Sequence, residues 1–233
     1  MKITGRFGDR FVGAGVGVAA LMILAFVPNL HAQATPRMTD GHPDLSGRYQ
    51  YSGGGTQPNP DFKPATKAKY LTPMPKDVCA AGGTPTSITY QGTDRGVIQL
   101  ITKPGSMWVL TEMPQSIRWI PTDGRPHTKD PDISFAGESY GRWDGDTLVV
   151  DTVEVDHRMR NIFSAANAWT HTEDEHVVEH FNRPSKDALT YQVTIEDPMV
   201  LAKPYTSAQM KFSLVEGATA KWKVKVPIPG CDF

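Results

Sequence analysis

Two cysteines are all that the 233 residues contain, Cys79 and Cys231, and they stand too far apart to form a CxxC pair. That spacing argues against a redox motif or a thiolate zinc site. Also missing are HExxH, the P-loop and the GxGxxG dinucleotide fingerprint. Zinc-protease, nucleotide and nicotinamide chemistries therefore have no support in the sequence. An excess of one charge is absent too, since 24 Lys and Arg stand against 25 Asp and Glu, a formal net charge of −1. No cationic footprint for a phosphate backbone is visible, which argues against nucleic acid as a partner. Beyond the N-terminus no stretch keeps a 3.6-residue apolar period; Asn161 to Trp169 is the best helical candidate, and it is short.

The one long apolar run lies at the start. Lys2, Arg6 and Arg10 precede an apolar segment from Val12 to about Val27, followed by the small-residue end Ala32-Gln33-Ala34, which reads as an export signal over residues 1–34. An uncleaved anchor is the competing reading, but the run is glycine-rich and short of the roughly 20 strongly apolar residues that span a bilayer. No adjacent arginine pair marks the twin-arginine route, so the general secretory route is expected. Loss of Lys2, Arg6, Arg10 and Asp9 with the signal takes the net charge from −1 to −3. The expected location is the periplasm or the exterior, with no stable membrane insertion after cleavage. In an exported chain, two cysteines read most simply as one disulfide, Cys79 to Cys231, worth about 5 kcal/mol in the chain-entropy model.

About 200 residues remain, enough for one domain with a real core. Residues 35–83 are dominated by Pro, Gly, Ser, Thr and Lys and read as an irregular covering arm, least structured at SGGGTQPNPDFKP (Ser52 to Pro64), with one strand-like piece at Leu45 to Ser52. Residues 84–233 read as an all-β domain. Strands are expected at Gly96 to Ile101, Ser106 to Glu112, Ser116 to Pro121, Glu138 to Trp143, Thr147 to Val153, Glu175 to Phe181, Leu189 to Ile195, Gln209 to Leu214 and Lys221 to Val226. Pro104-Gly105, Asp144-Gly145, Asn182-Arg183-Pro184 and Glu216-Gly217 supply the turns. Short strands at this spacing point to a sandwich or an up-and-down barrel. Alternation puts Tyr191, Val193 and Ile195 on one buried face, and Lys221, Lys223 and Lys225 on a solvated one.

Four segments carry a resemblance: IRWIPTDGRPH (Ile117 to His127), GESYGRWDGDTLVVDTV (Gly137 to Val153), HVVEHF (His176 to Phe181) and VTIEDPMVLAKPY (Val193 to Tyr205). In this order, from about Cys79 to Val226, they resemble a large family of exported bacterial proteins. That family has DGRPH, a GES-G-W-GDTLVVDT hairpin, an H-V-x-E strand and a T-I-x-D-P…K-P-W segment. The resemblance implies a lipocalin-like antiparallel β-barrel with cysteines at the positions of Cys79 and Cys231. It also implies a relation to small proteins of cofactor-free breakdown of aromatic, lignin-derived compounds. Here the chain departs from the pattern at Arg142, where the family often has His, at His180, where it often has Arg, and in VEVDHRMRN, Val153 to Asn161.

The candidate site residues follow from side-chain chemistry. In SIRWIP, Ile117 and Trp119 share one side and Arg118 and Ile120 the other, so Arg118 is either an exposed charge or an inward cation awaiting a carboxylate. His176, Val178 and His180 share one face of their strand, and Val177, Glu179 and Phe181 the other, drawing Glu179 toward the core. A carboxylate so placed needs a cation, and Arg118 or Arg160 can supply it; a structural ion pair is the plain alternative to catalysis. In DGRPH a turn role for Asp123-Gly124, with Arg125 paired to a carbonyl or to a carboxylate of a neighbouring strand, outweighs a substrate role. His157, His171, His176 and His180 lack metal-ligand spacing, so no metal is expected.

What remains is acid–base chemistry without a cofactor. His157, Glu179 and Tyr140 are the catalytic candidates, and Arg118, His176, Arg158 and Arg160 the substrate-binding ones. The expected function is a lyase or isomerase, performing decarboxylation, elimination or retro-aldol chemistry on a small aromatic molecule in the barrel. The alternatives are a non-catalytic carrier or scavenger of apolar ligands, and an envelope interaction module with a filled barrel.

Overall fold

The computed structural model describes residues 34–71, 83–90, 97–112, 115–164 and 167–215. In chain order these form β1 (Gly47–Gly54), α1 (Lys67–Tyr70), α2 (Thr86–Thr89), β2 (Val97–Lys103), β3 (Ser106–Glu112), β4 (Gln115–Pro121), β5 (Glu138–Asp144) and β6 (Thr147–Val153). There follow β7 (Arg160–Ile162), β8 (Ala168–Thr170), β9 (His176–Ser185), β10 (Ala188–Glu196), β11 (Tyr205–Thr206) and β12 (Met210–Leu214). Nine strands pair in the order β4-β3-β2-β1-β12-β10-β9-β6-β5, with β11 added to β10. All these pairings are antiparallel, and the sheet makes a nearly closed, lipocalin-like β-barrel. No helix among the described residues is long and apolar enough to cross a membrane. Cys79, Cys231, the expected strand Lys221 to Val226 and the expected signal up to Gln33 lie outside the described residues.

The two end strands, β4 and β5, share no ladder and are joined in other ways. The Gly124 amide donates to the Gly141 carbonyl at 3.0 Å. A Cβ at Gly141 would lie 3.1 Å from both Thr122 Cγ2 and Leu148 Cδ1, so glycine is what lets these edges approach. Thr84, just before α2, adds a second stitch. Its amide donates to the Phe135 carbonyl at 3.0 Å, and its hydroxyl donates to Ala136 at 2.8 Å while accepting from Arg118 of β4 at 2.7 Å. Inside, Tyr49, Leu100, Met107, Ile120, Phe181 and Tyr191, each from a different strand, belong to one buried cluster.

Several sequence expectations are corrected. β1 pairs with β2 on one side and β12 on the other, so the supposed arm supplies an inner strand of the barrel, and SGG at the head of the supposedly unstructured stretch belongs to it. A register shift between Tyr51 and Gly53, with Gly53 at φ +138°, accommodates those glycines. No boundary at residues 83/84 divides the described residues, which fall in one compact unit. The helical candidate Asn161 to Trp169 overlaps β7 and β8, where Asn161 pairs with Trp169. Cross-strand pairing and burial of Ile162 and Trp169 override local propensity there. The expected turn at Asn182-Arg183-Pro184 lies within β9, whose ladder becomes irregular only toward Ala188, where a proline is tolerated. In the β5–β6 hairpin Asp144 pairs with Thr147, so the loop is Gly145-Asp146, with Gly145 at φ +57°.

Candidate functional site

Strand alternation distributes the seven candidate residues over three places. Arg118 and Glu179 point into the barrel, at 5 % and 0 % exposure, and form a bidentate ion pair. Glu179 Oε1 also accepts from the Tyr191 hydroxyl at 2.9 Å. Arg118 is thus the inward cation that a desolvated carboxylate requires. Both side chains are buried, and they are joined to each other and Glu179 to Tyr191 rather than presented at the surface. The apolar side of β4 faces outward instead, with Ile117 and Trp119 exposed.

Tyr140 and His176 lie on the other side of the barrel wall, on the outer face of β5, β6 and β9. His157, Arg158 and Arg160 lie at the entry to β7. His157 is exposed, with Nδ1 3.5 Å from Glu173 Oε1. The Arg158 guanidinium is bound to Asp156 and lies over the Phe135 ring at 5.2 Å. The expected convergence of these residues with Glu179 on one interior cavity is therefore corrected: the sheet separates them.

The outer face does assemble a site, around four residues outside those seven, Glu138, His127, Asp151 and Glu196. Gly124, at φ +72° and bound through its amide to the Gly141 carbonyl of β5, ties the segment after β4 to that strand, and His127 reaches carboxylates of β5 and β6. Its Nδ1 is 2.8 Å from Glu138 Oε2 and its Nε2 is 3.0 Å from Asp151 Oδ1. The same Asp151 oxygen is 2.8 Å from His176 Nε2, and His176 Nδ1 is 3.5 Å from Glu196 Oε2. Glu138, His127, Asp151, His176 and Glu196 thus form one chain of alternating carboxylates and imidazoles across four strands. Tyr140, the register partner of Asp151, reaches Glu138 Oε1 at 3.4 Å, and its ring is 5.2 Å from that of His127. Thr128 donates to Glu138 through both its amide and its hydroxyl.

These groups border a cleft of about 150 Å³ whose walls include Arg125, His127, Tyr140, Arg142 and Asp151. Arg125 is bound to Asp123 of its own turn and lies 5.9 Å from the Tyr140 ring, so its partner is local rather than on a neighbouring strand. Arg142 is exposed and has no ion-pair partner among the described residues. A signal for this site was present in the sequence. His127 closes DGRPH, and Asp151 is the polar residue that alternation places outside an apolar strand. What was not legible is the course of the chain after β4, which sets the two together.

Hydrogen bonding to Asp151 raises the pKa of His176, against the effect of burial, and Asp151 is lowered first by that bond and then by His127. Glu138 is also lowered: desolvation pushes it up, but the bonds from Thr128 and His127 outweigh it. Desolvation and the nearby Glu138 charge raise the Tyr140 hydroxyl. The raised His176 contributes stability that is present below its unfolded pKa and lost as pH rises through the folded one. The lowered Asp151 contributes stability present above its unfolded pKa and lost as pH falls through the folded one. The pair is therefore most stabilising between about pH 4 and 6.5, the ordinary Asp and His values. Asp151→Asn should move the His176 titration, followed by NMR of the imidazole protons, to lower pH; an unmoved midpoint would show that the bond does not form in solution.

No family model, no curated protein and no solved structure matches the chain.

Proposed function

We propose that the chain is a cofactor-independent lyase or isomerase that performs acid–base chemistry on a small anionic, aromatic molecule, at the outer-face cleft rather than inside the barrel. The observation that carries this reading is the His127 ring, set between Glu138 and Asp151 at hydrogen-bonding distance from both, beside the Tyr140 hydroxyl and a cation without a carboxylate partner. With both nitrogens facing carboxylates, a protonated His127 donates on both sides and serves as the acid. Asp151, whose side chain is half exposed, serves as the base. Asp151 takes a proton from carbon next to a carbonyl, Tyr140 or His127 gives one to the carbonyl oxygen, and Arg142 holds the guest's carboxylate. At about 150 Å³ the cleft is below the roughly 300–1,000 Å³ of drug-sized sites, so the guest is a single-ring acid or smaller. Two arginines, Arg125 and Arg142, against the one carboxylate Asp151 among its lining residues favour such an anion over the apolar ligands of a carrier. The export signal would place this activity in the periplasm or outside the cell.

Phenylpyruvate is a suitable probe, because its methylene protons exchange with D2O through the enol. The protein should accelerate that exchange, with the acceleration falling at least about 100-fold in Asp151→Asn, the scale of one general acid–base contribution, and saturation weakening in Arg142→Ala. Exchange unaffected by either substitution would sink the assignment. Saturable binding with no exchange would replace it with a non-catalytic binder.

A further inference from the structure

The outer wall of the barrel is not polar all round. On β2, β3 and β4, alternation sends Leu100, Met107, Arg118 and Ile120 inward and leaves two outward rows joined by register. Ile101, Trp108 and Trp119 make one row, and Gln99, Leu110 and Ile117 the next. Ile117 is 69 %, Trp119 51 % and Trp108 39 % exposed, while Ile101 and Leu110 are half-buried. The two indole rings lie 6.2 Å apart and are tilted by 40°. Of the five large hydrophobic side chains exposed among the described residues, these three stand together, and a contiguous apolar patch calls for an occupant where scattered residues do not.

The charge on this wall is small and of one sign. The single carboxylate of β2, β3 and β4 is Glu112, which is 3 % exposed and accepts from the Val97 amide. Arg118 is inside the barrel, and Lys103, beside the indole row, is exposed. Glu138, Asp151 and Glu196 lie on β5, β6 and β10 instead. Size then decides between occupants. At about 150–250 Å² for a large side chain, the three exposures leave roughly 250–400 Å² of apolar surface open. A stable protein interface takes about 800 Å² from each partner, so a second copy or another protein gains too little here. A lipid surface needs neither a fixed area nor a complementary shape. Aliphatic Ile117, the most exposed of the three, suits acyl chains better than the ring face of a sugar.

We propose that the outer wall of β2, β3 and β4 is a membrane-docking surface, which lays the barrel against an anionic lipid bilayer. Trp108, Leu110, Ile117 and Trp119 enter the boundary between headgroups and acyl chains, and Lys103 meets the lipid phosphates. Indole suits that depth because it is an apolar ring with one N–H for the wet side. Buried apolar area together with attraction to anionic lipid is what holds a protein at such a surface. The barrel lies on the bilayer and does not span it. A spanning barrel carries an apolar band all round its outer face, whereas His127, Asp151 and His176 occupy the outer face at β5, β6 and β9. The inference does not rest on the chemistry proposed for the cleft there.

The test uses the full-length protein and vesicles of phosphatidylcholine mixed with phosphatidylglycerol, made with brominated acyl chains that quench a tryptophan on contact. The apolar run from Val12 to about Val27 can itself hold the chain at a bilayer, so the decisive reading is local to Trp108 and Trp119. Bromine should quench the wild type, and Trp108→Phe with Trp119→Phe should remove most of the quenched emission. Ile117→Ser with Trp119→Ser should lower the docked-to-undocked ratio, read from the quenching of Trp108, at least about tenfold, less than full burial of two large apolar side chains would give. Lys103→Glu should lower it about fivefold or more on these vesicles and leave it unchanged on phosphatidylcholine alone. Both variants alter exposed side chains and should melt with the wild type, which separates loss of docking from loss of fold. The inference falls if the wild type ignores the vesicles, or binds them with no quenching that Trp108→Phe with Trp119→Phe removes. It falls equally if the wild type sediments as a dimer that Ile117→Ser with Trp119→Ser makes monomeric, which would give the wall to a second copy.

Discussion

Glu179→Ala should lower the stability of the barrel by about 3–5 kcal/mol, the cost of removing one partner of a buried ion pair. The substitution leaves the Arg118 guanidinium inside the barrel, bound to the Thr84 hydroxyl, and takes the acceptor from the Tyr191 hydroxyl. Glu179→Gln keeps an acceptor for Tyr191 and nearly the same volume, but the arginine charge is still uncompensated, so most of the loss should persist. The pair's net value is a separate matter. Replacing Arg118, Glu179 and Tyr191 together by Met, Leu and Phe removes both charges and the hydroxyl they satisfy, and buried pairs exchanged in this way are often neutral or stabilising. Urea unfolding, with the slope checked for constancy, reads all three proteins on one scale. A Glu179→Ala variant within 1 kcal/mol of the wild type would show that the pair is not formed in the folded barrel.

That experiment also separates scaffold from chemistry. Glu179 is joined to a cation, a tyrosine and the packed core, whereas Asp151 and His127 are half-buried beside an open cleft. Substitutions at Glu179 should change the melting temperature, and those at Asp151 should change proton transfer. The opposite pattern would return the proposed chemistry to the interior.

The barrel was legible because its strands follow the period-two rule. β10 alternates Leu189, Tyr191, Val193 and Ile195 inward, and β9 opposes Val177, Glu179 and Phe181 to His176, Val178 and His180, as alternation requires. The inward turn of Glu179 came from the same rule, and with it the need for a cation that Arg118 or Arg160 could meet. It failed where pairing decides more than composition. β1 is hidden by glycines, and β7 and β8 are only three residues each, too short for a period to show. Its other failure was geometric. Alternation assigns a residue to a face of its own strand but does not say which faces of distant strands look at one another, so residues of both faces were credited to one site. Tyr140 and His176 prove to be neighbours of His127, which no local pattern connects to them, because its place depends on the loop between β4 and β5.

The largest core effect should come from Trp169→Ala, at about 3–5 kcal/mol, the range for truncating a fully buried large aromatic. Trp169 is completely buried and is the hub of an aromatic group at the barrel's end. Its ring stacks on Phe163 at 5.4 Å and 12°, meets Tyr205 edge-on at 5.0 Å and Phe62 at 6.3 Å, and its backbone bridges to Leu71. Each such pair adds about 0.5–1.5 kcal/mol beyond area burial, and one truncation removes three of them. Trp169→Phe should cost much less, about 1–2 kcal/mol, because the cavity is smaller and the unpartnered Nε1–H leaves with the indole. The two variants thus weigh ring packing against the buried N–H at one position. If Trp169→Phe is as damaging as Trp169→Ala, the indole nitrogen rather than the ring stabilises the group.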